Sequence, residues 1–169
     1  MNTLARATLL ALLIPITPAD SHQTEELHYH EEQILPLVTH ARFKGELLDQ
    51  NFRLTHSNEH FWKYGRETDS FAYEAQIYGN TESEVGIIEG YLYNFSKPEH
   101  SNSLAAPLFR YLATLPFPGK KEIREEIFTW INENIGSATE EVFHGIKITL
   151  YATAPTSRVI RVERGAHPD

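Results

Sequence analysis

A chain of 169 residues with a net charge of −8 and no cysteine excludes several classes at once. Without thiols there is no disulfide framework, no thiolate metal site and no cysteine nucleophile. The acidic balance disfavours nucleic acid or an anionic membrane as partner, because phosphate binding needs clustered Lys and Arg. It suits solubility, and it also suits a protein that blocks a basic partner.

The N-terminal stretch MNTLARATLLALLIPITPADSHQ carries one early cation, Arg6, then an apolar run from Ala7 to Ile16, then small residues. This is the pattern of a cleaved secretory signal over residues 1–21. Cleavage after Ser21 places Ala19 and Ser21 at the two selective positions, and cleavage after Ala19 also fits. The run is too short to cross a bilayer comfortably, so a retained anchor is the minor alternative and no stable membrane span is expected after cleavage. The expected location is secreted or periplasmic. Residues 22–169 then form a single domain of about 150 residues, able to bury roughly 70% of its unfolded surface. Packing alone must hold it.

After the signal, TEELHYHEEQILPLVTHARFKGELL is ambiguous. Leu27, Ile34, Leu35 and Val38 suit a helix, and Pro36 argues for a break. Residues 22–32 are expected to be loosely ordered, as are 165–169 at the other end. HFWKYGRE reads as a strand with Phe61 opposed to Trp62 and Tyr64. SFAYEAQIYG and EVGIIEGYLYNF, separated by the polar NTES, read as a hairpin. In its first strand Phe71, Tyr73, Ala75 and Ile77 share a face. In its second, Val85, Ile87, Tyr91, Tyr93 and Phe95 do, with Glu89 interrupting. Gly86 and Gly90 inside that strand signal a bulge or a close backbone approach.

Two helices follow. Leu104, Leu108, Tyr111, Leu112 and Leu115 make one apolar stripe, with Ser103 as a candidate N-cap and Pro116, Pro118 and Gly119 ending it. Ile123, Ile127, Trp130, Ile131 and Ile135 make the next, with Gly136 at its C-terminal end. A second hairpin closes the chain: FHGIKITLYAT with Ile146, Ile148 and Leu150 inward, then RVIRVER with Ile160 and Val162 inward. The charged residues Arg158, Arg161, Glu163 and Arg164 of the last strand resemble edge protection. These elements predict an α+β fold, an antiparallel sheet of about four to six strands built from hairpins, with an inserted helix pair packed on one face.

One local motif carries chemistry. His56-Ser57-Asn58-Glu59-His60 fits the H-x-x-E-H pattern of inverted zincins, where a helix sets two imidazoles on one Zn²⁺ and the glutamate activates the bound water. Ser57 and Asn58 favour turns over helix, and no third ligand is marked by spacing, although Glu74, Glu82, Glu84 and Glu89 are present. The motif is read as a chance match. His28 and His30 share a direction if their segment is extended, and a solvated segment is the preferred reading. Asn94-Phe95-Ser96 is a glycosylation sequon of a kind that arises easily by chance. Trp62, Tyr64, Tyr73, Tyr78, Tyr91, Tyr93 and Phe95 crowd the central strands, with Tyr73 and Tyr78 on opposite faces. Most should be core or cross-strand pairs, and any left exposed suit a sugar, peptide or protein partner.

The sequence therefore favours an exported small binding module over an enzyme. It would act as a protein inhibitor or ligand-binding domain outside the cytoplasm, with no cofactor, no metal site and no catalytic residue assigned. A zinc-dependent hydrolase using His56 and His60 as ligands and Glu59 as base is the alternative. An envelope assembly component that pairs through sheet edges is the second.

Overall fold

The computed structural model describes residues 28–165. The signal reading at 1–21 lies outside the described residues. So do positions 22–27 and 166–169.

The chain enters through a short 3₁₀ turn, Glu31–Gln33, and then helix α1, His40–Asp49. Thr39 caps it, its hydroxyl accepting from the Arg42 N–H at 3.3 Å. Four strands follow: β1 Arg53–Ser57, β2 Phe61–Glu67, β3 Phe71–Thr81 and β4 Glu84–Asn94. Helices α2, Ser101–Thr114, and α3, Lys121–Asn134, precede β5 Thr139–Phe143, β6 Ile146–Ala154 and β7 Ser157–Arg164. All seven strands form one antiparallel sheet in the order β1-β2-β3-β4-β7-β6-β5. The fold is α+β, with one strand more than the upper end of the sequence expectation.

The strand patterning works as read in β2, β3, β6 and β7. In β4 the core side takes Ile88 and Leu92 instead of Ile87, Tyr91 and Tyr93, and the register shift beside Gly79 turns Val85 to the core side, away from Ile87. Trp62, Tyr64, Ala75, Ile77, Ile88, Leu92, Ile160, Val162, Ile146, Ile148 and Leu150 are buried in one cluster with residues of all three helices. Each fully buried side chain of this size stabilises by about 1.5–3 kcal/mol, which is how a domain without disulfides coheres. Helix α2 lies across β4 and β7. Gly90 makes this possible: a Cβ there would fall 2.4 Å from Leu112 Cδ1 and 2.9 Å from Ile160 Cγ2. The stripe of α3 buries Ile127, Ile131 and Ile135, and Trp130 meets Phe143 edge to face at 5.7 Å.

Three other elements also differ from the sequence reading. Helix α1 buries His40, Phe43 and Leu47, a stripe with a histidine where the pattern wants an apolar residue. FHGIKITLYAT is not one strand, because His144 and Gly145 take φ of 49° and 80°. Positive φ at both central residues is the signature of a two-residue hairpin turn, and it creates β5. Finally, β7 is not an edge. It sits between β4 and β6, so its charged residues protect no edge.

Candidate functional site

HSNEH is two strand ends and a turn. His56 and Ser57 close β1, and Phe61 opens β2. The Asn58 side-chain oxygen accepts from the His60 N–H at 2.9 Å, and the Asn58 N–H donates to the Phe61 carbonyl at 2.9 Å, a turn that asparagine favours. The His56 ring lies 5.9 Å from that of Phe61, while His60 Nδ1 is 3.1 Å from the Asn80 carbonyl oxygen. A carbonyl can only accept, so Nδ1 carries the proton there. The helical geometry that brings two zincin imidazoles together is not present at these residues. His28 and His30 are both exposed, their rings 6.1 Å apart. Among the described residues no three His, Asp or Glu side chains gather into a group able to hold a metal ion. The sequon is also occupied structurally: Asn94 is buried, and its amide donates to the Lys97 carbonyl at 2.7 Å and to Ser101 Oγ at 3.0 Å.

Among the described residues all three helices lie on one side of the sheet, and the residues of opposite parity make the other face, called helix-free in that sense. Strand register turns them into rows. One row runs Lys63, Gln76, Glu89, Arg161, Thr149 and Glu140. Beside it lie Phe61, Tyr78, Ile87, Glu163, Lys147 and Val142, and on the other flank Glu74, Tyr91, Val159 and Tyr151. The charges are cross-linked. Lys147 Nζ is 2.8 Å from Glu163, whose other oxygen accepts from Arg161 Nε at 2.9 Å. Arg161 Nη1 reaches Glu89 at 3.1 Å. Glu89 also accepts from the Tyr91 hydroxyl at 2.5 Å, and Tyr78 donates to Gln76 at 2.6 Å. Lys63 pairs with Glu74 at 2.8 Å.

Electrostatics follow from that wiring. Burial alone would raise the Glu163 carboxyl, but Lys147 and Arg161 outweigh it and hold the group below the usual carboxylate range. Burial pushes the Tyr78 hydroxyl up to about 12, with Glu89 adding to it. Burial also raises Tyr91, and the hydrogen bond to Glu89 reinforces the shift. These phenols are therefore donors at neutral pH and not phenolate nucleophiles. The network is a fixed, charge-balanced surface with hydroxyls and ring faces.

Two features shape its margins. Toward β1, an open groove of about 760 Å³ is lined by Arg53, His56, Lys63, Glu67 and Glu74, and the small residues Gly65 and Ala72 keep its relief low. At the far end of β4, Tyr29 lies on Gly86, where a Cβ would come within 2.4 Å of the ring. Asn80 holds this strap by accepting from the Tyr29 N–H and donating to its carbonyl, both at 2.7 Å. Burial raises the Tyr29 hydroxyl, which also feels Arg161, Glu89 and Glu163, and among the described residues that oxygen has no hydrogen-bond partner. Tyr93 and Tyr151 remain 39% exposed.

A second titratable group lies under the helices. His40 stacks on Trp62 at 4.4 Å, and its Nε2 is 2.7 Å from the Tyr64 hydroxyl. Its Nδ1 is 3.6 Å from the exposed Glu82 carboxylate, too long for a hydrogen bond. Burial outweighs that charge and lowers the imidazole below its ordinary value.

The sequence brought out the tyrosines of this face but not their wiring. Its available signal was Glu89, which broke an otherwise apolar alternation and pointed to a polar partner across the sheet. The chain matches no protein-family model, no curated protein and no solved structure.

Proposed function

We propose that the protein is an exported, non-enzymatic binding module whose helix-free sheet face receives a protein outside the cytoplasm. The observation that carries this reading is the one-sided fold: three helices cover one face, and the other presents Tyr91, Tyr93 and Tyr151 beside a charge-balanced network. Its size fits. Seven strands about 4.8 Å apart make a face about 29 Å wide, and central strands at about 3.3 Å per residue run about 25–35 Å. A standard interface takes roughly 800 Å² from each partner. Tyrosines offer large contact area with a polar tip at low entropic cost. The open, shallow groove at Gly65 suits a protein side chain better than an enclosed small molecule.

Affinity capture with the mature protein as bait tests the reading. Wild type and the helix-side variant Glu125→Lys should retain the same partner, and a Tyr93→Lys/Tyr151→Lys variant should lose it. A partner kept by the sheet-face variant and lost from the helix-side one would overturn the proposal. The zinc-hydrolase alternative gains no support from the geometry of His56 and His60.

A further inference from the structure

We infer that copies of this chain join through unlike sheet edges, the outer edge of β5 on one copy receiving the outer edge of β1 on another. Among the described residues nothing pairs with either edge, since β1 and β5 end the strand order. Each strand is five residues long. Every residue of β1 is exposed, and three of the five in β5 are. Unpaired N–H and C=O groups along an exposed edge are a template for another strand.

Charge selects which edges meet. Strand β5 carries Glu140 and Glu141, while β1 carries Arg53 and His56. Two β5 edges would set carboxylates against carboxylates, and two β1 edges would gather the Arg53 charge of both copies on one short seam, which disfavours both self-pairings. The bulge between Leu54 and His56 further blunts a β1–β1 pair. An unlike pair places cations beside anions. The second copy is therefore the occupant whose charge complements each edge.

Shape agrees on the helix side. Leu54 stands opposite Tyr64 in register, so its side chain leaves the sheet on the helix face, yet it is 46% exposed. Arg66 projects on the same side, its Nη1 donating to the Gln50 carbonyl at 3.4 Å. On the other edge, an open cleft of about 530 Å³ between α3 and β5 is lined by Trp130, Phe143 and Val142 and rimmed by Glu126, Glu133 and Glu141. Extending the sheet from β5 with a β1 strand brings Leu54 to the mouth of that cleft, with Arg66 next to its acidic rim. Val142, 51% exposed, gains a neighbouring strand on the opposite face.

Such a contact is heterologous. It uses a different patch on each copy and propagates into a ring or an open chain instead of stopping at a two-fold dimer. The helix-free face then continues from copy to copy and stays available to a partner, so this inference stands apart from the proposed function.

Sedimentation velocity of the mature protein tests it with two edge-blocked variants, Glu140→Lys/Glu141→Lys and Arg53→Glu/Leu54→Asp. All four positions are exposed, and circular dichroism checks that each variant folds. Wild type should assemble beyond a dimer as concentration rises. Each variant alone should be monomeric, with self-association weakened at least tenfold. An equimolar mixture should associate again, because each variant keeps the one edge that the other needs and the two reversed edges carry opposite charges. Wild type monomeric up to about 1 mM, a weak-binding limit near −4 kcal/mol, would overturn the inference. So would a variant that dimerises with itself, or a mixture that stays monomeric.

Discussion

Replacing Gly90 by alanine puts a methyl group under α2, where the new Cβ would sit 2.4 Å from Leu112 Cδ1 and 2.9 Å from Ile160 Cγ2. Leu112 and Ile160 are both fully buried, so neither can swing into solvent. The helix must lift or side chains must leave their rotamers, and overpacking of this kind costs about 1–3 kcal/mol. Losing a glycine from a strand interior returns about 0.5–1 kcal/mol. The expected net loss is about 1–2 kcal/mol, or a fall in Tm of about 2–8 °C for a domain of this size. Urea denaturation followed by the fluorescence of Trp62 and Trp130 measures it. Leu112→Ala supplies the control, since it removes the obstructing carbon at its own cavity cost of about 2–5 kcal/mol. In that background Gly90→Ala should cost less, with only the 2.9 Å approach to Ile160 left to relieve, a coupling on the order of 1 kcal/mol. Equal cost in both backgrounds would refute the claim that Gly90 is the seat of α2.

Further outcomes concern pH, the strap and the motif. Burial lowers His40, so on acidification the unfolded chain binds the proton first. The stability His40 contributes is full above its unfolded value of about 6.5 and is lost as pH falls below that toward the depressed native value. Unfolding free energy should therefore drop between pH 7 and 5, with a smaller drop in His40→Gln; the same drop in both would contradict this. Asn80→Ala removes both hydrogen bonds to the Tyr29 backbone, a loss of about 1–3 kcal/mol at about 0.5–1.5 kcal/mol per bond. Amide exchange around Tyr29 should accelerate while β4 and β7 keep their protection, and unchanged exchange would show that Asn80 does not hold the strap. Mass spectrometry of the mature protein with added zinc should find no stoichiometric metal. One zinc per chain lost on His56→Ala would mean the turn rearranges into a site.

Periodicity made most of the fold legible. The inward sets of β2, β3, β6 and β7 and the stripes of α2 and α3 alternate or recur as burial requires. What escaped had little periodic signal. Strand β1 has Leu54 as its single apolar residue, and α1 hides a buried histidine in its stripe. His144 takes the left-handed conformation at a turn where asparagine or glycine is the usual cue. The candidate face was half legible: Tyr73 and Tyr78 fall on opposite faces as alternation demands. The former donates to the Leu104 carbonyl at 2.7 Å on the helix side. Its wiring was not legible, because Arg161 meets Glu89 only when β7 inserts between β4 and β6. That insertion is a long-range pairing which local pattern does not encode.

The sheet face itself is best tested by placing a photo-crosslinking residue singly at Tyr93, Tyr151 or the α3 position Glu125 and irradiating the cells that make the protein. One discrete adduct is expected from Tyr93 and Tyr151, shared by both, and none from Glu125. Adducts from Glu125 alone, or none from either tyrosine position, would contradict a binding face on the helix-free side of the sheet.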